Sequence, residues 1–83
     1  MDTQEIRKTI KEAIAKISDM RLEDIGDTAS FTDDLGLDSL VLLELSVEIE
    51  MQFRLEVHEE DLKQLHTVQD AVEFVQQALV GHP

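Results

Sequence analysis

The sequence predicts an all-α fold: a small four-helix bundle, three main helices plus one short helix, with a long loop between the first two. Three observations lead there. Apolar residues recur at helical spacing in three separate windows, no window alternates as a half-buried strand does, and no cysteine is present to staple a loop-rich fold. With 83 residues, three Phe and neither Trp nor Tyr, the core must come from well-packed helices rich in Leu, Ile and Val. Residues 1–83 are read as one domain, since typical domains run ~100–150 residues and ~50 is the practical floor.

The first helix is set by Ile6, Ile10, Ala13, Ile14 and Ile17, with Lys8, Lys11, Glu12 and Lys16 lying off that stripe. Asp2 followed three residues later by Glu5 is a start signal, a carboxylate placed to accept free amide protons of the first turn. The pattern breaks near Ser18-Asp19. From Asp19 to Asp38 no period holds, and Gly26, Thr28, Ser30, Gly36 and the interspersed Asp residues favour turns. Leu22, Ile25, Phe31, Leu35 and Leu37 are spread through this stretch, so the loop is expected to be pinned to the core and to contain short helical turns.

Asp38 caps the next helix, which runs to about Phe53 and places Ser39 in its first turn. Leu42, Leu45, Ile49 and Phe53 form one apolar row, and Leu40, Leu43, Val47 and Met51 form an adjoining one. That surface is wider than a single core-facing stripe requires. Leu55 and Val57 read as an extended link, and Glu59 to Leu65 as a brief helix presenting Leu62 and Leu65. Thr67 with Asp70 resembles a capping box, after which Val68, Ala71, Val72, Val75 and Leu79 keep helical spacing, with Gly81 as the stop and Pro83 beyond.

Composition narrows the function. Seven Lys and Arg against nineteen Asp and Glu give a net charge of −12. Such a polyanion has no affinity for nucleic acid or anionic membranes, and its field favours basic partners. The absence of cysteine removes any thiol nucleophile or thiolate metal site. The acidic N-terminus is unlike a secretory signal, and the longest apolar run, Leu40 to Leu43, is far short of the ~20 residues that span a bilayer. A cytoplasmic, freestanding protein is the expectation.

Few residues are placed for chemistry. Asp33, Asp34, Asp38 and Glu44 suggest a calcium loop, but its alternating oxygen ligands fail at Leu35 and Leu37, so no dedicated metal site is expected. His58, His66 and His82 share no helical pairing and read as solvated side chains. Ser39 admits three readings. It is a helix-start residue, or a hydrolase nucleophile lacking its G-x-S-x-G elbow, or an exposed modification target where an added phosphodiester meets the favourable end of the helix dipole.

The stretch Phe31-Thr32-Asp33-Asp34-Leu35-Gly36-Leu37-Asp38-Ser39-Leu40 resembles the modification motif of acyl carrier proteins. Downstream, Glu44-Leu45, Ile49-Glu50, Phe53, Glu56-Val57 and Thr67-Val68-Gln69-Asp70-Ala71-Val72 fall where that family has matching elements. The resemblance covers nearly the whole chain. It implies a non-catalytic four-helix carrier whose Ser39 hydroxyl is converted to a 4′-phosphopantetheine ester by a phosphopantetheinyl transferase, and whose arm supplies the thiol that the chain lacks. Asp38 then has two roles, capping the helix and supporting the modification. Ketosynthase, acyltransferase or other synthase enzymes are the implied transient partners of a carrier that is itself, by the same resemblance, a monomer.

By the same resemblance, Leu40, Val41, Glu44, Val47, Glu50 and Met51 lie on the docking surface. The alternative for Leu40, Val47 and Met51 is packing against the preceding loop. Cargo is expected to shelter in an apolar cavity near Leu42, Ser46, Leu62 and Leu65. The chain departs from the fatty-acid-synthesis type in having Val41, Leu42, Met51, Gln52 and Arg54 where acidic residues are usual, and His58 where a proline opens the third helix region. These departures favour a dedicated polyketide or hybrid pathway, with primary fatty acid synthesis or an aminoacyl or aryl cargo as alternatives. Peptidyl carriers are the nearest relatives in pattern, but Leu35-Gly36-Leu37-Asp38 follows the acyl type.

Overall fold

The computed structural model describes residues 2–80. Four α-helices occur among them: α1 (Thr3–Ser18), α2 (Ser39–Phe53), α3 (Glu59–Leu62) and α4 (Val68–Val80). The expected stop at Gly81, the following Pro83 and His82 lie outside the described residues. Helix α1 packs against both α2 and α4, and the short α3 leans on α2. The core is what the helical stripes supply. Ile6, Ile10, Ala13 and Ile14 of α1 meet Leu45, Ile49 and Phe53 of α2 and Val68, Ala71, Val72 and Val75 of α4. Full burial of one such aliphatic side chain stabilises the fold by about 1.5–3 kcal/mol.

The helix ends are where local chemistry put them. The Asp2 carboxylate accepts from the Glu5 amide at 2.8 Å while Glu5 accepts from the Asp2 amide, closing a capping box on α1. Asp19 ends that helix in the left-handed region, and Arg54 ends α2 likewise. At α4 the Thr67 hydroxyl accepts from the Asp70 amide at 3.0 Å, and the Asp70 carboxylate accepts from the amides of Thr67 and His66.

The long connection between α1 and α2 contains a short 3-10 turn at Leu22–Asp24. Ile25, Phe31 and Leu37 are buried and Leu35 is half-buried, as expected of a pinned loop. Two expectations fail. Leu22 is 43% exposed because it opens the 3-10 turn facing outward, leaving Ile25 to turn in. Leu79 is also exposed, since the last turn of α4 runs past the core. The brief helix is shorter than anticipated: it stops at Leu62, and Leu65 reaches the core from the turn that follows.

Charges on α1 fasten it to its neighbours. Lys16 pairs with Glu48 of α2 at 3.3 Å, Arg7 donates to Gln69 of α4 at 2.7 Å, and Lys11 donates to the Asp27 carboxylate in the loop. That hydrogen bond and the Lys11 charge, with a smaller contribution from Arg7, hold Asp27 below the ordinary carboxylate pKa. A depressed folded-state pKa means the pair stabilises the fold above the unfolded carboxylate value, about 3.9, and is lost as pH falls through the lower folded value. Replacing Lys11 by Gln is expected to return the Asp27 titration upward toward the ordinary value. NMR titration of the Asp27 carboxyl in both proteins checks this, and an unchanged midpoint would show that Lys11 is not the cause.

Candidate functional site

The site is assembled by the loop that precedes α2. Phe31 is buried in the core, its amide donates to the His66 carbonyl at 2.9 Å, and the Val68 amide donates to the Ala29 carbonyl at 3.0 Å. These bonds form an isolated antiparallel bridge between Ser30 and Thr67, fastening the loop to the start of α4. Within the loop, the Asp34 carboxylate accepts from the Ser30 amide at 2.7 Å and the Ser30 hydroxyl accepts from the Asp33 amide. Gly36 has a φ of +66°, the left-handed conformation that glycine adopts without strain, and the chain then turns so that the Leu37 amide reaches the Phe31 carbonyl at 2.8 Å.

Leu37 is buried and Asp38 follows it as the cap of α2, its carboxylate accepting from the Val41 amide at 2.9 Å. Ser39 is therefore the first helical residue and is exposed. Beyond the Asp38 cap no acidic residue stands in the first turn of α2, so the positive end of its dipole meets no further carboxylate there. The candidate metal ligands do not converge. Asp34 is used to brace the loop and Asp38 to cap the helix, and no cluster of three or more His, Asp or Glu among the described residues is placed to hold a metal ion.

Beside Ser39 lies a pocket of about 280 Å³ between α2 and α3. Leu42, Ser46, Leu62 and Leu65, the four residues expected to line a cavity, all line this one. Ser46 is buried, and its hydroxyl donates to the Leu43 carbonyl at 2.6 Å, so a satisfied polar group leaves the wall apolar. Leu43, Leu45, Ile49, Glu59 and Lys63 also line it. Leu45 and Ile49 carry no sequence signal distinguishing a cavity wall from plain core, and nothing in the pattern marks Glu59 or Lys63. No histidine is among the lining residues. The result is an exposed primary hydroxyl at a helix start with an apolar pocket alongside.

The outer row of α2 is solvent-facing. Leu40, Leu43, Val47 and Met51 are 66%, 52%, 49% and 68% exposed, so they do not pack against the loop. Val41 is half-buried against the core and Glu44 is exposed. Glu50 is half-buried, its carboxylate accepting from the Val57 amide at 2.9 Å, which braces the link to α3. With Glu48 turned to Lys16, two of the three α2 glutamates have internal partners.

Residues 8–75 match the family model described as "Phosphopantetheine attachment site". The chain is 41% identical over 70 residues to the acyl carrier protein of Buchnera aphidicola subsp. Schizaphis graminum (strain Sg), covering 84% of this chain and 89% of that one. It is 39% identical over 71 residues to the acyl carrier protein of Buchnera aphidicola subsp. Acyrthosiphon pisum (strain Tuc7), covering 86% and 89%.

The position of Ser39 depends on the Asp38 cap. Asp38→Ala is expected to cost about 1 kcal/mol of stability, the usual loss for a helix N-cap. Asp38→Asn, which keeps an accepting oxygen, is expected to lose only a fraction of that. Urea unfolding of the three proteins decides between this and a cap of no consequence, for which all midpoints would coincide.

Proposed function

The chain belongs to the acyl carrier protein family, and from that premise we propose that Ser39 is the residue bearing its arm. Members of this family are carriers, not catalysts. Their covalently attached 4′-phosphopantetheine supplies a thiol that holds acyl groups as thioesters, and chemistry belongs to the enzymes that dock. Phosphopantetheinyl transferase and synthase enzymes are thus the general class of partner. One observation carries the assignment of Ser39: its exposed hydroxyl borders the apolar α2–α3 pocket at the N-terminus of α2. Asp38 supports the modification by fixing that helix start.

Cargo is assigned to the pocket lined by Leu42, Ser46, Leu62 and Leu65, whose aliphatic walls suit an acyl chain. Docking is assigned to Leu40, Val47 and Met51 with Glu44, and to Val41 and Glu50 at the edges of that face. No described helix is long and apolar enough to cross a membrane, which is consistent with a carrier that diffuses between enzymes. Residues 1–83 are read as a single carrier domain, a reading supported by the hydrophobic core that α1, α2 and α4 share among the described residues.

The pathway is read as a dedicated one, polyketide or hybrid, with ketosynthase and acyltransferase among the docking enzymes. The support is the exposed face of α2, where apolar Leu43, Val47 and Met51 surround Glu44. Such a face relies less on long-range charge than an acidic helix does.

Intact mass after incubation with coenzyme A and a broad-specificity phosphopantetheinyl transferase tests the attachment site. A gain of one phosphopantetheine by the wild type and none by Ser39→Ala is expected. No gain in a folded wild type, beside an active control carrier, would replace this reading with an unmodified interaction domain, and gain in both proteins would mean another serine. The docking character is read from kcat/KM of the same labelling across ionic strength. A change of about threefold or less between low and high salt is expected, whereas a fall of more than about tenfold would return the chain to the acidic-helix type of primary fatty acid synthesis.

A further inference from the structure

A phosphodiester at Ser39, the reading on which this inference rests, adds an anion to a chain whose net charge is already −12. The new charge has carboxylates for company: Asp38 precedes it, and Glu59 lines the same pocket. Repulsion from these groups would push the root of the arm outward, away from the pocket that Ser39 borders.

A single cation is placed to oppose that push. Lys63, the residue that closes α3, lines the pocket together with Ser39, and no other lining residue is cationic. Elsewhere Lys11, Lys16 and Arg21 have carboxylate partners, and Arg7 is bonded to Gln69. Lys63 is in none of the ion pairs or side-chain hydrogen bonds formed among the described residues, and it is exposed. A lysine ammonium on its flexible four-carbon stem makes charge-assisted hydrogen bonds to phosphate oxygens without demanding one fixed geometry.

We infer that Lys63 is the counterion of the phosphodiester formed at Ser39, pairing with an anionic oxygen and holding the root of the arm at the mouth of the Leu42–Leu62 pocket. It acts as a positioning residue: it touches the arm's charge and takes no part in forming or breaking a bond. The N-terminus of α2, partly offset by the Asp38 carboxylate, and the Lys63 ammonium then face the same anion from two elements.

The test compares apo and modified forms of wild type, Lys63→Gln, Lys63→Arg and, as a control remote from the pocket, Lys8→Gln. The phosphorus NMR resonance of the modified protein is expected to move in Lys63→Gln and to stay in Lys8→Gln. At low salt, modification should lower the melting temperature of Lys63→Gln by about 2 °C more than that of wild type, the size expected of one exposed ion pair in a small domain. Lys63→Arg should restore the wild-type difference, and high salt should erase it. A phosphorus resonance unmoved by Lys63→Gln overturns the inference whatever the melting data do. The Lys63 ammonium resonance of wild type should also shift between the apo and modified forms, and its constancy would overturn the inference without any variant. Failure of wild type to gain the arm at all would instead refute the assignment of Ser39, so the two failures are distinct.

Discussion

The placement of the exposed serine depends on two hydrogen bonds between the long loop and the segment that opens α4. An irregular stretch of some twenty residues carries a large entropic cost of ordering, and its buried backbone groups need partners. Here the amide of Phe31 finds the carbonyl of His66, and the carbonyl of Ala29 finds the amide of Val68. The second bond also satisfies one of the amides that every helix start leaves open. The same stitch therefore closes the loop and caps α4. With Phe31 held in the core, the turn through Gly36 and Leu37 has a fixed origin, and the start of α2 follows from it.

Helix α2 then serves two surfaces at once. Its inner residues Leu45, Ile49 and Phe53 are core, Leu42, Ser46 and part of Leu43 turn toward α3 as a cavity wall, and Leu40, Val47 and Met51 face water. A helix apolar on so many sides would normally be buried all round. This one is kept from it by a four-residue neighbour, too short to cover it, and by a loop that covers its start rather than its outer row. The pocket and the exposed row are thus two consequences of α3 being small.

The ends of the elements were legible in the sequence because capping is local chemistry. Asp2 with Glu5, Asp38 ahead of Ser39, and Thr67 with Asp70 mark three helix starts, and each makes the bonds its spacing implies. Leu42, Ser46, Leu62 and Leu65 do line one pocket between α2 and α3, the side to which family resemblance pointed. What was not legible depended on distant partners. Leu22 and Leu79 share the apolar character of their buried neighbours, and only the turn of the loop and the length of α4 beyond the core decide that they are exposed. Glu48 and Glu50 look like surface charges in a string of letters, yet Lys16 and the Val57 amide, far off in sequence or across a bend, take both of them inward. The Ser30–Thr67 bridge left no alternating pattern to detect, since a bridge of one residue pair has no period.

The basic residues of α1 have one more effect. That helix holds four of the seven Lys and Arg of the chain against two Glu, while the loop, α2, α3 and α4 are each net negative. The centres of positive and negative charge are therefore separated, and the molecule has a permanent electric moment as well as a net charge. In the field of a basic enzyme the net charge draws the molecule in, but the moment exerts a torque, turning α1 outward before any side chains touch. Fewer collisions are then wasted on the wrong face, an economy of orientation that persists even if the contact surface itself is apolar.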